Sequence, residues 1–281
     1  MMHLIMQPEM FYRYPLWQVG LLSGGAAVLI TVCLECLVRR FLPATTRQGN
    51  NDASAAIFSV VGVTFAVLLA FVANVAWEGY NKAKAAAATE AAMALDVNAA
   101  LAGAALPARD ALRTTLVEYL RTVIDVEWPA QAQGHAVDRA WVSLAALNRE
   151  TLALPVSSPN AISVQSALMQ AVTQLSDARQ QRILAAEVTV PGIVWAVTII
   201  GGALTVAFSS FLGVQRLEMH LAMSCTLTIS GVLVLVMILA LSKPFRGDYR
   251  VSTEPFQQAL GHVTSSPAVP NVAARAMQPA P

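Results

Sequence analysis

Four long runs of apolar residues dominate the hydropathy pattern of the chain. A helix needs about 20 apolar residues to cross the hydrocarbon core of a bilayer, and each run is long enough. Only the first run contains a charged residue, Glu35. Trp17, Trp77 and Trp195 lie near ends of the runs, where interfacial aromatic side chains tend to occur. The pattern predicts four transmembrane helices, at residues 16–38, 53–77, 188–215 and 221–242.

The region between the second and third runs is more polar and follows a helical period. Residues 82–106 are rich in alanine, the best helix former, and should extend the second span. Pro107 should break this helix, and Trp128 with Pro129 should close the next one. The predicted helices after the break are 108–126, 137–152 and 161–187. One face of the first of these carries Leu112, Leu116, Tyr119, Leu120 and Val123.

These elements predict an all-α fold: a four-span helical membrane protein with a helical insertion between spans two and three. The expected parts are an N-terminal segment with spans one and two, the inserted domain, spans three and four, and a C-terminal segment with a disordered tail. Their predicted ranges are 1–77, 78–187, 188–242 and 243–281.

The basic residues near the spans predict the topology, because cytoplasmic loops carry an excess of Lys and Arg. With four spans, both termini and the inserted domain share one side, which has eight such residues against four. We therefore expect the termini and the inserted domain in the cytoplasm. The eight are Arg13, Lys82, Lys84, Arg179, Arg182, Lys243, Arg246 and Arg250; the four are Arg39, Arg40, Arg47 and Arg216.

Composition excludes several classes of protein. Apolar residues make up 56% of the chain and charged residues 12%, whereas soluble domains carry about 25% charged residues. A net charge of +1 argues against a nucleic-acid partner, which would need a basic face. No catalytic or nucleotide-binding motif occurs, so we expect no enzyme activity and no cofactor. Cys33 and Cys36 have zinc-ligand spacing but lack a second pair, so we expect no metal site.

The acidic residues and the arginines near them are expected to have structural roles. Glu35 lies within a turn of the membrane interface and is expected to reach toward Arg39; a role in ion passage is the alternative. Arg109, Arg113 and Asp110 are expected on the polar face of their helix. The remaining acids of the inserted helices should lie on solvated faces, paired with Arg: Asp96, Glu118, Asp125 and Glu127.

One stripe of the second span is a candidate ion pathway. Val63, Val67, Phe71 and Asn74 follow each other in steps of four, four and three, which places them on one helix face. Ordinary helix packing would explain the stripe. The functional alternative is a narrow apolar constriction with a polar mouth, which gates by dewetting. The rival stripe consists of Phe58, Phe65, Leu69 and Val72.

Several segments resemble a known family. The second span with its exit, residues 67–80, resembles the neck helix of bestrophins, and residues 53–260 are similar to the bacterial bestrophin-like family. Further matching segments occur in order along the chain. They are Leu106-Pro107, Arg109, Leu112, Arg113, Tyr119 and Glu127-Trp128-Pro129; Leu175, Ala178-Arg179 and Arg182; Pro191, Trp195 and Gly201-Gly202; and Lys243-Pro244-Phe245-Arg246-Gly247.

The resemblance implies a pentameric ion channel of the bacterial inner membrane, mainly for anions such as chloride, with the pore on span two. Its expected partners are the lipid bilayer, further copies of the chain and a permeant inorganic ion. Animal bestrophins carry a calcium-binding acidic run after the Pro-Phe-Gly region, but here only Asp248 and Glu254 follow. Calcium activation is therefore not expected.

The sequence does not decide whether the pathway favours anions or cations. Lys82 and Lys84 beyond the neck should raise the local anion concentration, while Glu78 and Glu90 act in the opposite sense. A non-conducting membrane scaffold or stress sensor that binds a partner through its cytosolic helices is the alternative function. A transporter is less well supported, because no internal repeat occurs and only Gly201-Gly202 is a candidate helix break.

Overall fold

The computed structural model describes residues 14–42, 47–135, 139–187 and 190–265. These ranges are helical and contain no strand, which confirms the predicted fold class. The predicted disordered tail falls almost entirely on residues outside them. The main helices are α1 (Leu16–Phe41), α2 (Asn51–Leu101), α3 (Ala108–Thr122), α4 (Trp128–Ala132), α5 (Arg139–Leu152), α6 (Pro159–Glu187), α7 (Gly192–Ser209), α8 (Leu217–Leu241) and α9 (Glu254–Ser265).

Four helical stretches of the described chain are long and apolar enough to cross a membrane, and each overlaps one of the four predicted spans. The third span, α7, ends at Ser209, earlier than the sequence predicts. Turns follow it, and Gly213 lies against the backbone of Gln48, where a Cβ atom would come within 2.9 Å of the Gln48 nitrogen. Only glycine allows this approach, so the helix gives way to a tight connection.

The chain divides into two compact units. The first comprises the described residues of Met1–Asn81 and Val188–Arg250, and the second those of Lys82–Glu187 and Val251–Pro281. Helix α2 contributes to both units, and its 51 residues correspond to a length of about 75 Å. The second unit also contains α9, which follows the fourth span in the chain.

In the first unit, one face of α2 packs against residues of the third and fourth span regions. Leu69, Val72 and Ala76 form a buried cluster with Val190 and Ile238. Helix α1 packs on α8, where the hydroxyl groups of Thr31 and Thr228 lie 2.9 Å apart. These contacts bury small and branched side chains, as close packing of membrane helices requires.

The glycine pair of the third span does not break its helix, contrary to the candidate break noted from the sequence. Helix α7 runs through Gly201 and Gly202, and the ring of Phe65 lies against both. A Cβ atom would meet this ring at 3.1 Å on Gly201 and 3.2 Å on Gly202. The pair therefore forms a seat for an aromatic side chain of α2.

In the second unit, the apolar face predicted for residues 108–126 is confirmed, since all five of its side chains are buried: four on α3, and Val123 directly after it. Two predictions for this region are wrong. Trp128 and Pro129 begin α4, where proline is tolerated in the first turn, and a π-helical turn at Val123–Glu127 joins the two helices. Arg109, expected on the polar face, is buried beside Asp110.

Candidate functional site

Most of the membrane part of helix α2 is exposed, and the predicted stripe lies on this exposed side. Val63, Val67 and Phe71 are each 65% exposed, and Asn74 follows them on the exposed side. Ser59 and Thr64 are also exposed, and their hydroxyl groups donate to the carbonyls of Ala55 and Val60 within the helix. The exposed side of the span therefore combines uncharged apolar groups with internally satisfied hydroxyls.

The rival stripe lies inside the first unit. Phe65 is half-buried against the glycine pair of α7, and Leu69 and Val72 are buried in the core. Phe58 is half-buried as well. Both stripes are mainly apolar in sequence, but only the first is exposed along its whole length to a neighbouring molecule, to lipid or to an ion pathway.

Asn74 has a partner that the sequence reading did not assign. Its side-chain amide donates to Glu78 Oε1 at 2.9 Å, and both residues are exposed. Lys82 and Lys84 are exposed further along α2, in its second-unit part. Glu90, expected to counteract these lysines, is fully buried.

Glu90 belongs to a buried network that we name the domain cluster: Glu90, Tyr119, Glu127, Arg179 and Arg182. Arg182 bridges its two acids, with Nε 2.6 Å from Glu90 Oε2 and Nη2 3.1 Å from Glu127 Oε2. Arg179 binds Glu127 through both terminal nitrogens, at 2.9 and 2.6 Å. The Tyr119 hydroxyl donates to Glu90 Oε1 at 2.6 Å. Two carboxylates and two guanidinium groups thus compensate each other in a site without water access.

Aromatic rings enclose the guanidinium groups of the domain cluster. Arg179 lies 5.0 Å from the ring centre of Trp141, and Arg182 lies 5.2 Å from that of Trp128 and 5.9 Å from that of Phe256. Such contacts stabilise a desolvated cation. Burial, together with the charge of Glu90, raises the pKa of Tyr119 well above its ordinary value, so its phenol keeps the proton that it donates.

The pKa values of the two arginines reflect a balance between burial and the neighbouring carboxylates. Burial lowers the pKa of Arg179, but the hydrogen bonds to Glu127 more than offset this, and the net pKa is raised. Burial likewise lowers the pKa of Arg182, and the charge of Glu90 reverses the effect. Both guanidinium groups therefore stay charged, and Glu127 is not on the solvated face that the sequence reading expected.

The first unit contains a second buried group, which we name the span cluster: Glu35, Arg39, Arg47 and His220. A single carboxylate oxygen, Glu35 Oε1, lies 3.1 Å from Arg39 Nε, 3.5 Å from Arg47 Nη1 and 2.7 Å from His220 Nδ1. The expected pairing of Glu35 with Arg39 is thus confirmed. The pairing with His220 joins α1 to α8, and no local sequence signal connects these residues.

Backbone carbonyls at the end of α7 and just after it supply the remaining acceptors of the span cluster. Arg47 donates to the Ser210 carbonyl at 2.9 Å, Arg39 to the Val214 carbonyl at 3.0 Å, and His220 Nε2 lies 3.0 Å from the Ser209 carbonyl. A helix leaves its last carbonyls without intrahelical partners, and its C-terminus favours positive charge. The cluster therefore joins the ends of several membrane helices.

The other candidate sites of the sequence have no ligand set. In the described ranges no group of three His, Cys, Asp or Glu side chains could hold a metal ion. Cys33 and Cys36 are exposed thiols on α1. Asp248 accepts a hydrogen bond from the Leu16 amide at 2.9 Å, which ties the start of α1 to the segment after α8.

Comparisons with known proteins agree with this architecture. A family model described as the bestrophin-like domain matches residues 25–256. The chain is similar to two crystal structures of a bacterial bestrophin homologue from Klebsiella pneumoniae carrying point mutations. They match with TM-scores of 0.68 and 0.66 at 13% and 14% identity, over 86% and 87% of this chain and 100% of each of those chains.

A further structure, described as that of a membrane protein, matches with a TM-score of 0.62 at 14% identity, over 87% of this chain and 99% of that chain. The search of curated proteins finds no match. The structural matches establish a shared fold, and the family model covers most of the sequence. This chain is therefore a member of the bestrophin-like family.

Proposed function

We propose that this protein is an oligomeric membrane ion channel whose pathway is lined by the exposed stripe of α2. The contrast between the two faces of that helix carries the proposal. One face is occupied by side chains of its own unit, while Val63, Val67 and Phe71 stay exposed. The exposed stripe continues into the polar pair of Asn74 and Glu78. The amide of Asn74 lies within the predicted span, where a polar side chain needs a polar partner or water, and a water-filled pathway supplies water.

Membership of the bestrophin-like family supports the same function, since the resemblance implies channels with a pore on the second span. It also implies a homopentamer, in which equivalent stripes surround one axis. Exposed apolar side chains of the second unit, such as Val142 at 70% and Leu184 at 53%, are suited to contacts between copies.

The neck would act without binding the ion. In a symmetric assembly the side chains of Val63, Val67 and Phe71 repeat as stacked apolar rings. A narrow apolar ring excludes water and so blocks a hydrated ion, and modest widening admits both. The proposed permeant species are small inorganic ions. The resemblance implies anions. Beyond the neck, Lys82 and Lys84 would favour anions and Glu78 would favour cations.

The proposed location is a bacterial inner membrane, with both termini and the second unit on the cytoplasmic side. This orientation follows the excess of basic residues on that side of the spans. The alternative function, a non-conducting scaffold or stress sensor, requires that the α2 stripes pack together without an open path.

Bilayer recordings on the reconstituted full-length protein test the proposal. Phe71→Ala and Val67→Ala, alone and together, should raise conductance or open probability, because they widen the proposed neck. Phe65→Ala is the matched control: it removes the same ring from the buried face and should not widen the pathway. Native mass measurement in detergent reports the number of copies.

Three outcomes would contradict the proposal. One is a wild-type protein that assembles but carries no current, as the scaffold alternative requires. A second is a wild-type current that stays unchanged in correctly assembled Phe71→Ala and Val67→Ala variants. A monomer that is stable under native conditions would exclude a pathway built from several α2 stripes.

A further inference from the structure

A shallow crevice lies where the first and fourth spans meet the segment that follows the fourth. Its apolar wall consists of Leu16, at the start of α1, and of Leu239 and Ala240, near the end of α8. All three of these residues are half-buried. The polar wall is formed by Tyr14 and by the run Arg246-Gly247-Asp248-Tyr249. The crevice therefore joins an apolar surface to a polar one.

Exposed aromatic side chains place this crevice at the surface of the bilayer. Tyr14, Trp17 and Tyr249 are 60%, 64% and 63% exposed. Tyr and Trp concentrate at the level of the lipid headgroups. Helices α1 and α8, whose ends form the apolar wall, are both long and apolar enough to span a membrane. The apolar wall is thus at the depth of the acyl chains, and the polar wall is at the depth of the headgroups.

The segment after α8 carries more positive than negative charge, with Lys243, Arg246 and Arg250 against Asp248. Asp248 already accepts a hydrogen bond from the Leu16 amide at 2.9 Å. Arg246 lines the crevice, and Arg250 follows its last lining residue. The Arg250 side chain is exposed and forms no ion pair or hydrogen bond within the part of the chain that the structure describes. Basic pockets between transmembrane helices on the cytoplasmic side bind anionic lipid headgroups, and the proposed orientation puts the crevice on that side.

We propose that this crevice binds an anionic phospholipid of the surrounding bilayer, with its phosphate held by Arg246 and Arg250 and an acyl chain along Leu239 and Ala240. A free phosphate would satisfy the arginines and leave the apolar wall uncovered, whereas a lipid covers both walls. The bound lipid stabilises the packing of the start of α1 on the end of α8. This inference does not depend on ion conduction.

Native mass spectrometry of the full-length protein with added lipid tests the proposal. Dioleoylphosphatidylglycerol should bind more tightly than dioleoylphosphatidylcholine, because the two share their acyl chains and differ in headgroup charge. Arg250→Gln should weaken phosphatidylglycerol binding about fivefold, since a basic residue near an anionic surface contributes about 1 kcal/mol. Adding Arg246→Gln should weaken it about fivefold more, and phosphatidylcholine binding should stay unchanged.

Arg216→Gln is the matched control, because it removes an exposed arginine at the opposite end of α8. It should leave the affinity for both lipids unchanged. A phosphatidylglycerol with a photoreactive acyl chain locates the site, and its crosslinks should fall on peptides that contain Leu16 or Leu239. Inorganic phosphate at the concentration of the lipid should not displace it.

Several outcomes would overturn the proposal. Equal affinity of the wild type for the two lipids would mean that the aromatic side chains anchor the helices without a specific lipid. Full displacement by inorganic phosphate would assign the arginines to a free anion. Crosslinks confined to other parts of the spans would place the lipid elsewhere. If Arg246→Gln does not fold, Arg250→Gln decides, since Arg250 is exposed, and an unchanged phosphatidylglycerol affinity in that variant would also overturn the site.

Discussion

The domain cluster and the span cluster both bury arginine against glutamate, but they balance charge differently. In the domain cluster two acids face two arginines, and all four carboxylate oxygens accept hydrogen bonds. In the span cluster one acid faces two arginines and a histidine. All three contact the same oxygen, and Glu35 Oε2 is buried without a hydrogen-bond partner in the described part of the chain.

The difference shows two ways of keeping a guanidinium group in a protein interior. The domain cluster is closed in charge, because each charge has a counter-charge. Tyr119, Gln131 and the Ala140 amide add hydrogen bonds, although Arg179 Nε is buried without a hydrogen-bond partner in the described part of the chain. The span cluster is open, because its cations rely on the carbonyls after α7. Loss of one member should therefore cost more in the closed cluster than in the open one.

The largest expected effect is that of Arg182→Met. The substitution keeps much of the apolar length but leaves Glu90 and Glu127 buried with too little positive charge. Breaking a buried ion pair in this way costs about 3–5 kcal/mol. The thermal unfolding midpoint of the detergent-solubilised protein should fall markedly, while Arg121→Met, at an exposed arginine of α3, should leave it near the wild-type value. Equal midpoints for the two variants would show that the cluster does not stabilise the second unit.

Tyr119→Phe should have an intermediate effect, since it removes one donor from Glu90 and no charge. Loss of a hydrogen bond to a charged group costs about 1.5–3 kcal/mol. The wild type should also lose stability with rising pH. Burial raises the folded-state pKa of Tyr119, whereas in the unfolded chain the phenol ionises near its ordinary pKa of about 10.

The stabilisation from the Tyr119 proton is thus complete below about pH 10 and is lost as the pH rises toward the folded-state pKa. Unfolding midpoints measured across this alkaline range check the prediction. The decline should be shallower in Tyr119→Phe, with Tyr80→Phe as a control that keeps the wild-type slope. Parallel curves for the wild type and Tyr119→Phe would contradict the assigned role of this proton.

The sequence predicted the four spans and the buried face of α3, because apolar run length and helical period are local properties. It did not decide which of the two stripes of α2 is buried. Both are apolar, and the choice depends on Gly201 and Gly202, which lie more than a hundred positions away and receive the Phe65 ring. No local pattern reports such a contact.

The buried clusters were missed for a related reason. In their local sequence, Glu127 and Glu90 look like solvated helix residues. Their partners are distant: Arg179 lies 52 positions after Glu127, and Arg182 lies 92 positions after Glu90. A π-helical turn ending at Glu127 further displaces the expected register of that segment. The only signal in the sequence was the resemblance, which included Arg179, Arg182 and Glu127 without giving their contacts.

The smallest expected effect, Arg39→Met, sharpens the comparison because it repeats the Arg182 substitution in the open cluster. The Arg39 side chain is 18% exposed, and Glu35 keeps Arg47 and His220 after the change. Removing a partly solvated cation from a cluster with surplus positive charge should cost less than breaking a buried ion pair, which costs about 3–5 kcal/mol. The unfolding midpoint should thus lie below that of the wild type and above that of Arg182→Met. If both substitutions lowered it equally, charge balance would not be what distinguishes the two clusters.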